Sequence, residues 1–293
     1  MKRRDLAALV LIAAIWGGSY ILIRIIVPAV GPWGMVGGRM IISAVASYAM
    51  LRVAGLAWGD KQLMRHYIVT AFFASFLAQF LIASAAQTLN AATLAILNAT
   101  ASMFSALMLF LFFGEPLVAR RAGGMLLGMA GVAMVVGYTP LPFTWAVVLA
   151  FAGALGAAAC YAYSSIHATR NLGNRPALEL AFTQSFFAGL LALPFAWPAL
   201  TLPLTQPDWV LYWTPKVLIA LAALAIVCTA FANWLFYGLM KRTGPTATLS
   251  VTFLIPVFSL IWGWLFLGET IAPLQLAGFG VIVAALLLVA SRR

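Results

Sequence analysis

One stretch of this chain occurs twice. Residues 91–116 read AATLAILNATASMFSALMLFLFFGEP, and residues 245–270 read PTATLSVTFLIPVFSLIWGWLFLGET. A shift of 154 positions aligns them without a gap: Phe104 falls on Phe258, Ser105 on Ser259, Leu111 on Leu265, Phe112 on Phe266, Gly114 on Gly268 and Glu115 on Glu269. Gly124 then falls on Gly278 in the run that follows. Each copy is a long apolar run ending in Gly-Glu. A duplicated element of this length divides the chain into two halves that build the same unit, and we set them at residues 1–140 and 141–293.

The apolar runs name the solvent. Hydrophobic residues make up 65% of the chain and charged residues 8%, against about 25% charged in a soluble domain; the mean hydropathy is +1.05. Runs of about 20 apolar residues span a bilayer as helices. They are continuous rather than alternating, which favours helices over a barrel. The expected fold is an all-α membrane protein with ten transmembrane helices, at 6–27, 34–51, 68–87, 92–113, 121–138, 145–166, 178–196, 217–239, 246–267 and 274–290. Met1-Lys2-Arg3-Arg4 precedes an apolar run too long for a signal peptide, so that run is read as the first span. The longest connection, between the seventh and eighth spans, holds Pro198, Pro203, Pro207 and Pro215 with Trp197, Trp209, Tyr212 and Trp213, as suits an interfacial loop.

Basic residues set the orientation. With the N-terminus in the cytoplasm, the inner segments hold Lys2, Arg3, Arg4, Arg52, Lys61, Arg65, Arg120, Arg121, Arg170, Arg175, Lys241, Arg242, Arg292 and Arg293, which is 14 of 17 Lys and Arg. Arg24, Arg39 and Lys216 fall on the outer side or inside spans. Both termini are thereby expected in the cytoplasm. The net charge of +11 follows from this bias, not from a solvated basic face for nucleic acid. Five spans per half is an odd number, so the second half enters the membrane in the opposite sense. Such an inverted repeat is the architecture of many secondary transporters working by alternating access. The competing classes are a duplicated scaffold, an intramembrane enzyme and a channel. His66 and His167 sit at loops, Cys160 and Cys228 in separate runs, and there is no metal-ligand spacing, nucleophile motif or phosphate loop. No cofactor or metal is expected.

The five-span unit resembles the EamA domain of the drug/metabolite transporter superfamily. The resemblance rests on Trp16-Gly17-Gly18-Ser19 in span 1, Pro32 and Arg39 entering span 2, Gly-Glu closing spans 4 and 9, and the glycines of spans 5 and 10. Within that superfamily the chain is similar to YddG-type exporters of aromatic and other amino acids. The resemblance implies a multi-pass exporter of the bacterial inner membrane, with a central cavity between the halves and an amino-acid-like small molecule as substrate. The alternative within the superfamily is a proton-coupled exporter of drugs or other metabolites, such as nucleosides.

Polar side chains in mid-membrane face a cavity or another helix. Gln79 falls on Asn233 at the 154 shift, and Asn98 on Thr252. Asn98, Ser102 and Ser105 share one helical face, repeated by Thr252, Pro256 and Ser259; these stripes are expected to line a midplane cavity, with interhelical hydrogen bonding as the other reading. Trp16, Tyr20 and Arg24 share a face of span 1. Tyr161 and Tyr163 in span 6 and Tyr237 in span 8 offer ring faces and hydroxyls to a substrate. Arg39 and Arg24 are candidates for a substrate carboxylate or for the outer mouth. Pro256, Gly17 and Gly18 are candidate hinges.

Asp5, Asp60, Glu115, Glu179, Asp208 and Glu269 all lie near span ends or in loops. With no mid-span carboxylate, gradient-driven movement of a polar or zwitterionic metabolite is preferred to proton antiport. Glu115 and Glu269 read as caps of the following helices, with gate contacts second. The glycines Gly124, Gly128 and Gly131 suit tight helix packing. One chain holds both repeats, so a monomer in its lipid is expected to suffice.

Overall fold

In a bilayer every backbone N–H and C=O must be satisfied within the chain, so apolar runs close into helices. The computed structural model of the chain describes residues 3–89, 94, 97–116, 118–136, 144–205, 214–267 and 272–290. Among them every regular element is helical. Gly268, Glu269, Pro207, Asp208, Trp209, Tyr212, Trp213 and the terminal cations Lys2, Arg292 and Arg293 lie outside the described residues.

Helix α1 (Arg3–Val53) is followed by α2 (Lys61–Ala85), α3 (Leu97–Phe113), α4 (Ala119–Val136), α5 (Trp145–Leu172), α6 (Ala177–Thr205) and α7 (Pro215–Thr243). A one-turn helix (Pro245–Leu249) leads into α8 (Val251–Leu267), and α9 (Pro273–Ala290) ends the described chain. Among the described residues six helices are long and apolar enough to cross a membrane, and three shorter apolar helices, within α3, α4 and α9, accompany them. Thr144 and Thr214 cap α5 and α7 by accepting the Val147 and Val217 N–H groups, which satisfies donors that helix geometry leaves free.

The chain path follows the expected spans with one change. The first two spans are two helical arms of α1 that meet at a break at Gly31, between the predicted ends 27 and 34, where a φ of 69° and ψ of 175° are open to glycine and not to L side chains. Pro32 presses Gly31 out of the α region, so α1 has two arms. The predicted loop after span 7 is shorter than expected, because α6 continues through Pro198 and Pro203 to Thr205.

The arms of α1 take different partners. The second arm lies along α6: Ser43 and Ser185 hydroxyls meet at 2.9 Å, and a Cβ added to Gly37 would sit 2.1 Å from the Ala196 Cβ. The first arm docks on α8. A Cβ on Gly17 would fall 2.7 Å from the Phe258 Cβ, Ser259 donates to the Gly17 carbonyl at 2.9 Å, and Trp262 Nε1 donates to the Ala14 carbonyl at 2.8 Å. Helix α4 pairs with α9, where a Cβ on Gly131 would meet the Ile282 Cγ1 at 2.8 Å. Without water to drive helices together, close backbone approach and interhelical hydrogen bonds carry association in lipid. The outer surface is correspondingly apolar: Val45, Phe112, Trp145, Leu149 and Ile219 are 68–78% exposed.

Candidate functional site

Helices α1, α2, α3, α5, α6, α7 and α8 enclose a cavity at the centre of the molecule, with about 90 Å³ of space open to the centre of a water molecule. A second space, walled by Arg24, Gln87 and Thr88, adjoins it through Tyr20, Ile23 and Ile82. The two spaces share these walls on the Arg24 side of the central cavity.

Arg39 dominates the site. It stands on the second arm of α1 and is only 4% exposed. Its Nε donates to Thr229 Oγ1 on α7 at 2.6 Å, and one terminal nitrogen donates to Gln79 Oε1 on α2 at 2.7 Å. Gln79 Nε2 passes the chain on to the Tyr161 hydroxyl of α5 at 2.8 Å. Among the described residues no carboxylate is paired with Arg39, and none lines the cavity. A second chain runs from Tyr237 to Gln184 Oε1 and from Gln184 Nε2 to Ser75 Oγ. Across the cavity Asn98 contacts the Tyr20 hydroxyl, yet its buried Oδ1 has no hydrogen-bond partner. An unmatched buried acceptor is costly unless a ligand fills it.

The lining is built in pairs. At the 154 offset Ser75 pairs with Thr229, Gln79 with Asn233, Ile82 with Phe236 and Asn98 with Thr252, and all eight residues line the cavity. At an offset of 145 Trp16 pairs with Tyr161, Ser19 with Ser164, Tyr20 with Ser165 and Arg39 with Gln184, and again all eight line it. These eight pairs supply 16 of the 21 lining residues, so the cavity is formed by the same positions of both halves.

Of the residues singled out from sequence, Trp16, Tyr20, Arg39, Gln79, Asn98, Tyr161, Asn233, Tyr237 and Thr252 come together in this cavity. Arg24 stands in the adjoining space. Ser102 and Tyr163 do not line it. Ser102 turns back to the Ala99 carbonyl of its own helix, and Tyr163 is 40% exposed, edge-on to Phe73. Only Asn98 and Thr252, the first members of the two polar stripes, reach the cavity. Ser105 bonds Thr246 and Ser259 bonds the Gly17 carbonyl, so those hydroxyls tie helices together. Pro256 is buried away from the cavity in an α8 that continues through it. Gly17 and Gly18 form the packing seam with α8 rather than a break in α1, which lies at Gly31.

Sequence reasoning passed over Gln184, Ser75 and Thr229. The signal for them was the 154 offset carried four residues back from Gln79 and Asn233, and the 145 offset in the first two spans of each half. It also missed two π turns, at Phe72–Leu77 and Ile226–Phe231. Gly114 ends α3 at φ 65°, the left-handed closure that glycine makes at lowest cost. Glu115, expected as a cap of the next helix, faces Arg170 at 3.6 Å.

The sequence profile of the EamA-like transporter family matches the chain twice, over residues 5–137 and 145–291. The chain belongs to the EamA-like transporter family. That places it among multi-pass membrane transporters rather than enzymes. As an EamA-like chain it is 25% identical to a WAT1-related chloroplastic protein of Arabidopsis thaliana over 94% of its length and 66% of the relative's. It is 29% identical to Protein PecM of Dickeya dadantii over 70% of its length and 66% of the relative's. It is 26% identical to a "Probable amino-acid metabolite efflux pump" of Salmonella typhimurium over 98% of its length and 94% of the relative's. The chain thus spans just under two thirds of the first two relatives. A solved crystal structure superposes with a TM-score of 0.76 at 16% identity, over 99% of this chain and 97% of that one, a likeness of fold. The two profile matches begin 140 residues apart (145 − 5) and end 154 apart (291 − 137), which brackets the 145 and 154 offsets of the lining pairs.

Proposed function

We propose that this EamA-like protein exports small carboxylate-bearing zwitterions, amino acids foremost, by alternating access through the central cavity. The observation that carries the reading is Arg39: a buried cation in a mid-molecule cavity whose lining supplies no anion among the described residues. A permanent charge in low dielectric is stable only with a counter-charge or dense hydrogen bonding, and a substrate carboxylate provides the charge. The unpaired Asn98 Oδ1 is suited to accept from the substrate ammonium. Trp16, Tyr20 and Phe236 add ring surface for a side chain. The name of the Salmonella relative points the same way.

The two halves, residues 1–140 and 141–293, are oriented oppositely in a bacterial inner membrane with both termini in the cytoplasm. This follows from the Lys and Arg bias and from five spans per half. A single chain forms the transport unit. Gradient-driven movement is favoured over proton exchange, because both buried carboxylates among the described residues are ion-paired. Asp5 meets Arg242 at 2.7 Å, and Glu179 meets Arg175 at 2.9 Å while accepting from Tyr67.

Proteoliposomes preloaded with an unlabelled neutral amino acid are expected to accumulate the labelled one by counterflow. The corresponding amine lacking the carboxylate should not compete. Equal competition by parent and decarboxylated amine sinks the reading.

A further inference from the structure

Helices α2 and α7 each contain one π-helical segment, Phe72–Leu77 and Ile226–Phe231. They are offset by 154 at both ends. Neither segment contains Pro or Gly, and only the hydroxyl residue is alike, Ser75 in one and Thr229 in the other. The Ala78 N–H reaches back five residues to the Phe73 carbonyl, and the equivalent Ala232 N–H reaches the Val227 carbonyl. A slip from four to five residues leaves backbone groups for side chains to satisfy.

Those side chains come from the opposite half, and at this point the symmetry breaks. On α2 the Thr70 carbonyl accepts from Ser164 of α5 at 3.1 Å. On α7 the equivalent Leu224 carbonyl accepts from Thr229 of its own helix at 2.7 Å. Ser19, the counterpart of Ser164, is turned back to the Trp16 carbonyl at 2.6 Å. Conversely, the Cys228 carbonyl of the α7 turn accepts from Trp16 Nε1 at 3.0 Å. Its equivalent on α2 belongs to Ala74, a cavity-lining residue. Tyr161, the counterpart of Trp16, instead accepts from Gln79. Two cross-half bonds are made, and each has an unmade twin.

We propose that Ser19 and Ser164 are positioning residues that cap the two π turns alternately, so that exchange of the twin bonds converts one access state into the other. In the state described here Ser164 holds Thr70 O and Trp16 holds Cys228 O. In the exchanged state Ser19 holds Leu224 O, Tyr161 donates to Ala74 O, and Ser164 turns back on its own helix. The bonds from Arg39 to Thr229 and from Gln184 to Ser75 are twins that are both made, so they tie the halves in either state. The inference rests on the alternating-access reading and is independent of which substrate moves.

The test uses the full chain in lipid nanodiscs without substrate. Paired spin labels at Gln87 and Lys216 report one end, and labels at Lys61 and Lys241 the other. Ser164→Ala is expected to shift the population ratio away from the described state by about fivefold, the weight of one net hydrogen bond. Ser19→Ala is expected to shift it about as far in the opposite direction, and the double variant to return towards wild type. Trp16→Phe, which leaves both serines intact, should move it in the direction of Ser164→Ala. Shifts of the same sign for the two serine variants, or none, overturn the proposal while leaving alternating access intact. One invariant distance at each end in every variant and with added substrate would instead remove alternating access itself.

Discussion

Arg39 and Gln184 hold equivalent places in the two halves of the cavity, yet one is a permanent cation and the other a neutral amide. Each donates to the hydroxyl of a π turn in the opposite half, Thr229 and Ser75. Their surroundings diverge in the same way: Trp16 corresponds to Tyr161, Gln79 to Asn233 and Asn98 to Thr252. Duplication has kept where side chains are aimed, whereas divergence has changed what they bind. A cavity charged alike on both sides would hold a ligand in two orientations. One cation on one side would give a carboxylate ligand a single orientation.

The largest effect should come from erasing that difference. Arg39→Gln makes the paired positions identical and is expected to lower counterflow of carboxylate substrates by about 100-fold or more, as when one partner of a buried charge contact is removed. Arg39→Lys should recover little, because Arg39 donates in two directions from a rigid fork. If Arg39→Gln transports normally, the cation is structural. Next in size is a packing contrast. Gly17 is equivalent to Ala162 at the 145 offset, and Ala162 is fully buried. Gly17→Ala should lower stability by roughly 1–3 kcal/mol through overpacking against Phe258, read as a lower Tm in detergent. Gly18→Ala, whose Cβ would find its nearest neighbour at 3.7 Å, should leave Tm unchanged.

Asn98→Leu removes the unmatched acceptor. It is expected to raise KM for amino acids about tenfold, with little change for hydroxy-acid analogues that lack the amine; equal effects on both would dissociate Asn98 from the ammonium. Gln79→Ala should cost more than Asn233→Ala, about tenfold against less than about threefold in transport rate, because Gln79 alone of the pair links Arg39 to Tyr161. Reversal of that order would mean that the second half, not the first, organises the site. The smallest effects belong to Ser102→Ala and Tyr163→Phe, which lie off the cavity: counterflow should stay within about twofold of wild type, and Tm should report a loss of no more than about 1 kcal/mol where the buried Ser102 gives up its bond to the Ala99 carbonyl.

Much of this was legible before any coordinates. The apolar runs, the stretch that repeats without a gap at an offset of 154 and the polar residues inside spans pointed to a helical membrane fold and to nine residues of the central cavity. What stayed hidden shared one property: it depended on contacts remote in sequence. Ser102 and Tyr163 carry the same chemistry as residues that do line the cavity, and only the helix rotation set by neighbouring packing separates them. Gln184 is one amide in an apolar helix until its bonds to Ser75 and Tyr237 are seen. Gly17 reads as a hinge candidate until its close approach to Phe258 of α8 is seen.

The sequence alone determined that every span would be a helix, because lipid offers no other partner for the backbone. It also determined that the halves would repeat. The tertiary structure decided which turns of those helices slip to a π register and which donors reach the carbonyls there: Ser164 meets Thr70 O and Trp16 meets Cys228 O from the other half. It decided the depth of Arg39 for the same reason: a buried cation persists where Thr229 and Gln79 converge on it, and the positions 229, 79 and 39 meet only once the helices have packed.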